Sequence, residues 1–507
     1  MPFYVEPGYV ENSYTASEEQ SSLADSVYVY AQLMGDPTTQ IMVSWVDAIG
    51  DGEQYTLHYG TDPSNLSGSV EVQGTQVPSR PEWIYHATLD GLAPGTTYSL
   101  KLDCSRGEHT PHPVKTLPAA LPASGVRFVA TSDIHVPVGM KSPGGMMRLV
   151  TEQPDAVLFA GDLVSSFKES PSFENGQYWI NFVRDYLSVL HSGTMIPVVN
   201  SPGNHDVGGH STSGGGSSSW ESQYFPVFFR SMLHTEPEQK PYGYIKLGDY
   251  FQVVVLDSHA SPVVEVGDWL RATLDKDTPG VAIHHSPSMA ADVRSGTDMA
   301  LQDNVRRSWM RELIESKTAC GIVGHIHYRT RTVPLGVVDQ DPGTVDSFEI
   351  DDGWIIEQEG GYVEFGQGYR SGRGEDASLH WFLEESQNQD QYHTIDVLPG
   401  EIKVRTVNAS GVELYATTFP VDTSALAAGL RATLSGAPAN AEVYYAVFLD
   451  TDPRTFGSPL AQGTADLDGE SRLTVPLQGV AAGETVYLVV TDGAGNGAHG
   501  PAQVEEV

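Results

Sequence analysis

Cysteine, basic residues and long apolar runs are all scarce in this 507-residue chain. The two cysteines, Cys104 and Cys320, stand in different halves of the sequence. That excludes a disulfide scaffold and a cysteine-built structural zinc site. Cys320 lies in the apolar run TACGIV and reads as a small buried residue. A single Cys104–Cys320 bridge stays open. Lys and Arg number 28 against 65 Asp and Glu, a formal net charge of −37. Only nine of the basic residues are lysines. Such a chain is not built to wrap nucleic-acid polymer, whose phosphates select Lys/Arg surfaces. Nor is it built to dock on anionic lipid. The carboxylates are spread along the chain, which describes a soluble, self-repelling surface. No run of about 18 apolar residues occurs, so no membrane span is expected. The opening segment, MPFYVEPGYVENSYTASEEQ, has neither a basic n-region nor an apolar h-region. The expectation is a chain that is either not exported or already freed of its leader.

Apolar residues make up 40 % of the chain and aromatics 9 %, enough for sizeable cores. The length suggests about three domains. Residues 1–25 read as an extended arm. Over 26–118, SVYVYAQL, QIMVSWV, QYTLHYG and TTYSLKLD are separated by the turn signals TDPSN and GLAPG. Short strands at that spacing predict a small β-sandwich. A Pro/Ala-rich stretch, KTLPAALPAS, reads as a linker. Over 124–420 the apolar runs VRFVATS, AVLFAG, IPVVNS, FQVVVLD, VAIHH and CGIVG alternate with helical candidates. In one candidate Trp179, Phe182, Val183, Tyr186, Leu187 and Leu190 can share a face. The alternation predicts α/β layering around buried sheet. VGGHSTSGGGSSS reads as a loop, and the acidic stretch near Asp339–Asp352 as a solvated insertion rather than a calcium loop. Residues 421–507 return to alternating segments and predict a second β-sandwich.

Five short polar motifs occur in order through the central segment. They are Asp133-Ile134-His135, Gly161-Asp162, Gly203-Asn204-His205-Asp206, His284-His285 and Gly324-His325-Ile326-His327. Each follows an apolar run of strand type. In an open α/β sheet ligands gather beyond the carboxyl ends of the strands, so the five motifs should converge. Residues i and i+2 of extended backbone share a side, which pairs Asp133 with His135 and His325 with His327. The donors are carboxylate, amide and imidazole, a set suited to Zn, Mn or Fe. Setting aside His205, Asp206 and one of His284 and His285, seven candidates remain: too many for one tetrahedral ion, enough for two that share a bridge. Paired ions are a common device for phosphoester hydrolysis.

This ordered set, DIH, GD, GNHD, HHSP and GHIH, resembles the calcineurin-like metallophosphoesterase superfamily. MVSWV, YGTDPSNL and HATLDGLAPGTTY resemble the N-terminal domain of purple acid phosphatases. The resemblance implies a fibronectin-III-like N-terminal sandwich and a central four-layer αββα metallophosphoesterase domain, ahead of the C-terminal β-sandwich that the segment pattern predicts. It implies that Asp133, His135 and His327 hold one divalent ion, that Asn204, His285 and His325 hold a second, and that Asp162 bridges them. His285 is preferred to His284 because His285-Ser286-Pro287 matches the family's His-x-Pro spelling. His205 would face the phosphate and assist the leaving group, with Asp206 orienting its ring. Purple acid phosphatases have Asp-x-Gly where this chain has Asp133-Ile134-His135, and a tyrosine where it has Ser165. Loss of that tyrosinate implies no purple absorption band and favours two divalent ions.

The expected activity is hydrolysis of phosphate monoesters, diesters or both by in-line attack of a metal-bound hydroxide on a small phosphoester. One alternative is an enzyme selective for diesters such as cyclic nucleotides or glycerophosphodiesters. Another is a non-catalytic surface-binding protein built on the β modules. His284, Arg329 and Arg370 are weaker candidates for gripping the substrate anion. Arg331 and Arg373 share with Arg329 and Arg370 the choice between gripping an anion and surface charge pairing, and His210 reads as an exposed loop residue. His259, in LDSH, follows a further strand end and reads as a residue behind the ligands. The resemblance points to a secreted or periplasmic protein, and the missing leader to a cytoplasmic one.

Overall fold

The computed structural model describes residues 26–136, 143–165, 176–207, 224–230, 240–259, 261–289, 304–338, 355–367, 383–387 and 390–421, and six strands between 428 and 506. The arm 1–25, His210, Arg370, Arg373 and the acidic insertion lie outside the described residues. Among the described residues no helix is long and apolar enough to cross a membrane. The chain divides into two compact units, Met1–Pro420 and Val421–Val507.

Two sheets organise the first unit. At the centre of one, Val126–Thr131, Ala156–Ala160 and Val198–Ser201 run parallel. Gln391–Leu398, Glu401–Asn408 and Glu413–Pro420 extend it antiparallel on one side. In the other sheet Phe251–Val255, Gly280–Ile283, Thr318–Val323 and Val363–Gly366 run parallel. Ala156–Ala160, Val198–Ser201, Phe251–Val255 and Gly280–Ile283 are buried at every residue. Burial on both faces is why these segments read as unbroken apolar runs rather than alternating ones. The sheets meet face to face, with the Phe128 and Phe251 rings stacked 5.4 Å apart.

Helices cover the outer faces and complete an αββα order. Pro143–Thr151 and Gly176–Phe182, the latter running on as a wider turn through Leu187, pack on the first sheet through Met146, Leu149, Trp179 and Phe182. Val263–Thr273 and the helical stretch Arg306–Ile314 pack on the second through Val266, Leu270, Trp309 and Leu313. The predicted helix face is buried throughout, including Leu190 beyond the helix end.

The N-terminal region differs from a bead on a linker. Val27–Gln32, Ile41–Asp47 and Trp83–Leu89 continue the first sheet, joined to it where Gln32 pairs with Val198 and the Leu33 N–H donates to the Val198 carbonyl at 3.0 Å. A second sheet of Gly68–Val72, Tyr55–Gly60, Thr97–Cys104 and Gly107–His109 closes the β-rich domain. Its core stacks Trp45 on Tyr85 at 5.2 Å, with Tyr55 edge-on to both. Sequence spacing revealed these strands but not that one set shares hydrogen bonds with the central domain. Both cysteines are free, so the open bridge is not formed.

The second unit is antiparallel. Ala461–Asp466, Glu442–Phe448, Thr485–Asp492, Gly497–Glu506, Ala428–Thr433 and Arg472–Pro476 are hydrogen-bonded in that order.

Trp179 is 1 % exposed and stacks on Phe228 at 5.7 Å. Trp179→Ala should lower unfolding stability by about 3–5 kcal/mol. A urea midpoint matching wild type would show that this aromatic cluster does not hold the first helical layer.

Candidate metal centre

Six polar turns meet where the carboxyl ends of the two sheets face each other. Val126–Thr131 delivers Asp133 and His135, and Ala156–Ala160 delivers Asp162. Val198–Ser201 delivers Asn204, His205 and Asp206. The second sheet contributes His259 after Phe251–Val255, His285 after Gly280–Ile283, and His325 and His327 after Thr318–Val323. The turns are laced to one another. Asp133 N–H donates to the Gly161 carbonyl at 2.9 Å, and His135 N–H to the Asp162 carbonyl at 3.0 Å. Asp133 Oδ1 accepts the His325 N–H from the opposite sheet at 3.1 Å.

The backbone is strained where side chains converge. Asp133, His135, Asp162, His325 and His327 have φ between 54° and 74°. Among the described residues only two other non-glycine positions, Ser79 and Gln153, are left-handed. Such conformations cost roughly 1–3 kcal/mol each and persist only where surroundings over-determine them. The i, i+2 pairing predicted for extended backbone is therefore achieved by αL turns instead. Two glycines make the crowding possible. Gly161 has φ 86°, and a Cβ there would meet His285 Nδ1 at 2.6 Å. At Gly203 a Cβ would collide with the Asp162 backbone and carboxylate.

Two groups of donors result. Asp133, His135, Asp162 and His327 place ligand atoms within 4.8 Å of one another. So do His259, His285 and His325. Asn204 Oδ1 belongs with the second group, 3.2 Å from His285 Nε2 and 2.9 Å from His325 Nδ1. The two groups touch at one atom. Asp162 Oδ2 is 3.4 Å from His135 Nε2 and 3.1 Å from His285 Nε2. Its other oxygen accepts the His205 N–H at 2.8 Å, which fixes the carboxylate.

Ring orientations are set from behind. His285 Nδ1 lies 2.7 Å from the Ala160 carbonyl and must donate to it, leaving Nε2 toward the centre. His135 Nδ1 lies 3.1 Å from Ser165 Oγ, so its Nε2 also points inward. There it faces His327 Nε2 at 3.3 Å, and His327 Nε2 is 3.1 Å from Asp133 Oδ1. These side chains are at most 9 % exposed. So many buried carboxylates and imidazoles aimed at two points fit divalent cations, with oxygen and nitrogen donors and no thiolate.

Comparison with known proteins decides what this centre belongs to. Residues 27–116 match the model for the purple acid phosphatase N-terminal domain, and residues 126–329 match that for calcineurin-like phosphoesterase. The chain carries a calcineurin-like phosphoesterase domain, that of a metal-dependent phosphoester hydrolase. The solved structure of PhoD is similar in fold, with a TM-score of 0.56 at 14 % identity over 80 % of this chain and 94 % of that one. A conserved uncharacterized protein from Streptococcus pneumoniae TIGR4, described as a predicted phosphoesterase, aligns at 11 % identity with a TM-score of 0.24, covering 59 % of this chain and 99 % of that one. A Vps29 single mutant from Entamoeba histolytica aligns at 11 % identity with a TM-score of 0.23, covering 58 % of this chain and 99 % of that one. Comparison with curated protein sequences finds no match.

The phosphoesterase centre gives several candidates different work from that expected. His284 is turned away from it. Its Nδ1 donates to the Ser286 carbonyl at 2.8 Å, and its Nε2 lies 3.8 Å from buried Glu364. Burial holds that ring neutral, with its pKa pulled down to about 4. It therefore buttresses the turn and does not grip substrate. Arg329 is 3 % exposed and lies 6.0 Å from the ring centroid of Tyr415, a residue of the first sheet, so it is packed between the two sheets. Asp206 does not orient His205. Its carboxylate accepts the N–H groups of Asp162, Leu163, Val164 and Gly203 at 2.8–3.2 Å. It is the cradle that holds the Asp162 turn. His205 sits at the edge, 13 % exposed, with Nε2 3.9 Å from Asp162 Oδ2. Glu364 had no sequence signal, being one carboxylate in a strand. It accepts the Ser288 N–H and hydroxyl and the Met289 N–H, and so anchors the turn that carries His285.

The charges of the donors govern how a cation would load. Burial raises the pKa of Asp133 and Asp162, but the surrounding imidazoles overcome it and hold both well below the carboxylate range. Burial and the Asp162 charge push Asp206 up to about 7, against its backbone N–H donors. For His285, burial lowers the pKa, and Asp162 and Asp133 overcome it, raising it to about 9. A cation takes only the neutral ring, so loading must expel that proton. Metal affinity should therefore rise with pH and level off near about 9. Competition with a chromophoric chelator from about pH 6 to about pH 9 reads this, and a flat profile contradicts it. Asp206→Asn keeps one acceptor where four N–H groups converge and adds a donor against them. It should weaken ion retention by about 5- to 150-fold, the equivalent of about 1–3 kcal/mol of lost positioning, although Asp206 is no ligand. Metal content after dialysis equal to wild type would contradict that role.

Proposed function

We propose that the domain is a two-ion phosphoesterase that cleaves small phosphate monoesters, diesters or both. The observation that carries this reading is the position of Asp162 Oδ2, in reach of His135 from one donor group and His285 from the other. Asp133, His135 and His327 would hold one ion, Asn204, His285 and His325 the other, and Asp162 both. Bound divalent ions supply Lewis-acid polarisation of phosphoryl oxygens and acidify water at neutral pH. The chain's own residues do the rest. Asp206 and the Ala160 carbonyl hold Asp162 and His285 in place. Ser165, where the purple acid phosphatases carry a tyrosine, holds the His135 ring instead. That exchange of tyrosinate for imidazole supports a colourless pair of divalent ions, Mn or Zn.

His205 is placed at the open edge, with its backbone fixed by Asp162 and its ring edge-on to His135 at 4.5 Å. From there its ring can donate a proton to the leaving oxygen. His205→Ala should retain both ions and slow hydrolysis by about 10²–10⁴-fold. Asn204→Ala should lose one ion and nearly all turnover. Assays on p-nitrophenyl phosphate and its bis-ester, with metal added back after EDTA, separate monoesterase from diesterase. Wild-type rates in either variant would sink the assignment.

A further inference from the structure

We infer that His259 is an additional ligand on the second ion, making that position a three-imidazole site. The inference rests on the two-ion reading above. His259 is 4 % exposed and follows the Phe251–Val255 strand, as the other donors follow theirs. Its ring centroid is 5.2 Å from that of His285 and 5.5 Å from that of His325. Ligand atoms of the three rings lie within 4.8 Å of one another, the span of donors around a single ion.

The turn that carries His259 is rigid. Asp257 Oδ1 accepts the His259 N–H at 2.8 Å. Ser258 Oγ accepts the Ser286 N–H at 3.0 Å, which ties this turn to the one bearing His285. The Leu256 carbonyl accepts the Ser201 hydroxyl at 2.7 Å, which ties it to the strand before Asn204. All of Ser201, Asp257, Ser258 and Ser286 are fully buried. The fold thus fixes His259 against two ligands from separate strands, as a ligand requires.

The consequence is chemical asymmetry. The first position offers two carboxylates and two imidazoles. The second offers three imidazoles and an amide, with one shared carboxylate. Nitrogen-rich donors favour Zn²⁺, and carboxylate-rich donors suit Mn²⁺. His259 should therefore bias the second position toward Zn²⁺.

The test uses the full chain. Wild type dialysed against Zn²⁺ and Mn²⁺ should hold two ions, and His259→Ala should release one of them at least tenfold more readily, with reduced Zn²⁺-over-Mn²⁺ preference. Retention of the other ion shows that the variant is folded. Where the variant fails to fold, wild type answers alone. Paramagnetic NMR of the Co²⁺-loaded, ¹⁵N-histidine-labelled protein should show one more coordinated ring than His135, His285, His325 and His327 supply. Four coordinated rings, or unchanged retention and selectivity in His259→Ala, overturn the inference and leave the two-ion reading standing. Wild type that binds no divalent ion overturns both.

Discussion

Everything in the central domain is arranged around one buried charge, the Asp162 carboxylate. A carboxylate 1 % exposed is costly unless paired and hydrogen-bonded. Here His135 and His285 stand at one oxygen and the His205 N–H at the other. The turn that carries it is itself held by Asp206, whose four backbone contacts would be lost if either strand end shifted. Because the partners come from both sheets, the αββα sandwich cannot slide without breaking the centre. The left-handed backbone at five donor positions has the same origin. At three of the six strand ends the donor turns double back through left-handed backbone, and the packed sheets hold that strain in place.

Much of this was legible in the sequence. Five motifs at five apolar run-ends revealed convergence, because a parallel strand buried on both faces leaves a readable block. The residues that escaped lack such a mark. Glu364 is one acidic residue among many and acquires meaning only from Ser288 and Met289 opposite it. His259 follows a strand end as the others do, but a single histidine two residues past the run does not reveal that its turn is tied to two neighbours. His284 and His285 are adjacent and chemically alike. Only the Ala160 carbonyl on one side and Glu364 on the other separate a centre-facing ring from a buttress.

Asp206 failed to match its expected role for a related reason. The resemblance implied a carboxylate–imidazole pair with His205, yet the Asp206 carboxylate is taken up by the N–H groups of Asp162, Leu163, Val164 and Gly203. Sequence proximity is a poor guide inside tight turns, where successive residues point in different directions. The N-terminal strands pose the same problem at larger scale. Their hairpin spacing is local and readable, whereas the Gln32–Val198 pairing is a long-range contact with no local sign. That pairing makes the N-terminal domain an extension of the catalytic sheet, so disturbance of one is felt by the Val198–Ser201 strand that leads to Asn204.

The net charge of −37 takes a definite place in this picture. An acidic surface repels a polyanion along its whole length, and salt screens that repulsion beyond roughly 8–10 Å. A small phosphoester at the centre meets a different local balance. Two divalent ions would bring four positive charges against the two of Asp133 and Asp162, leaving the cleft cationic inside an anionic shell. The same shell draws cations toward the cleft. Acidity of the kind that disfavours nucleic-acid polymer would therefore favour an ion-loaded centre, and the two properties would arise from one charge distribution rather than opposing each other.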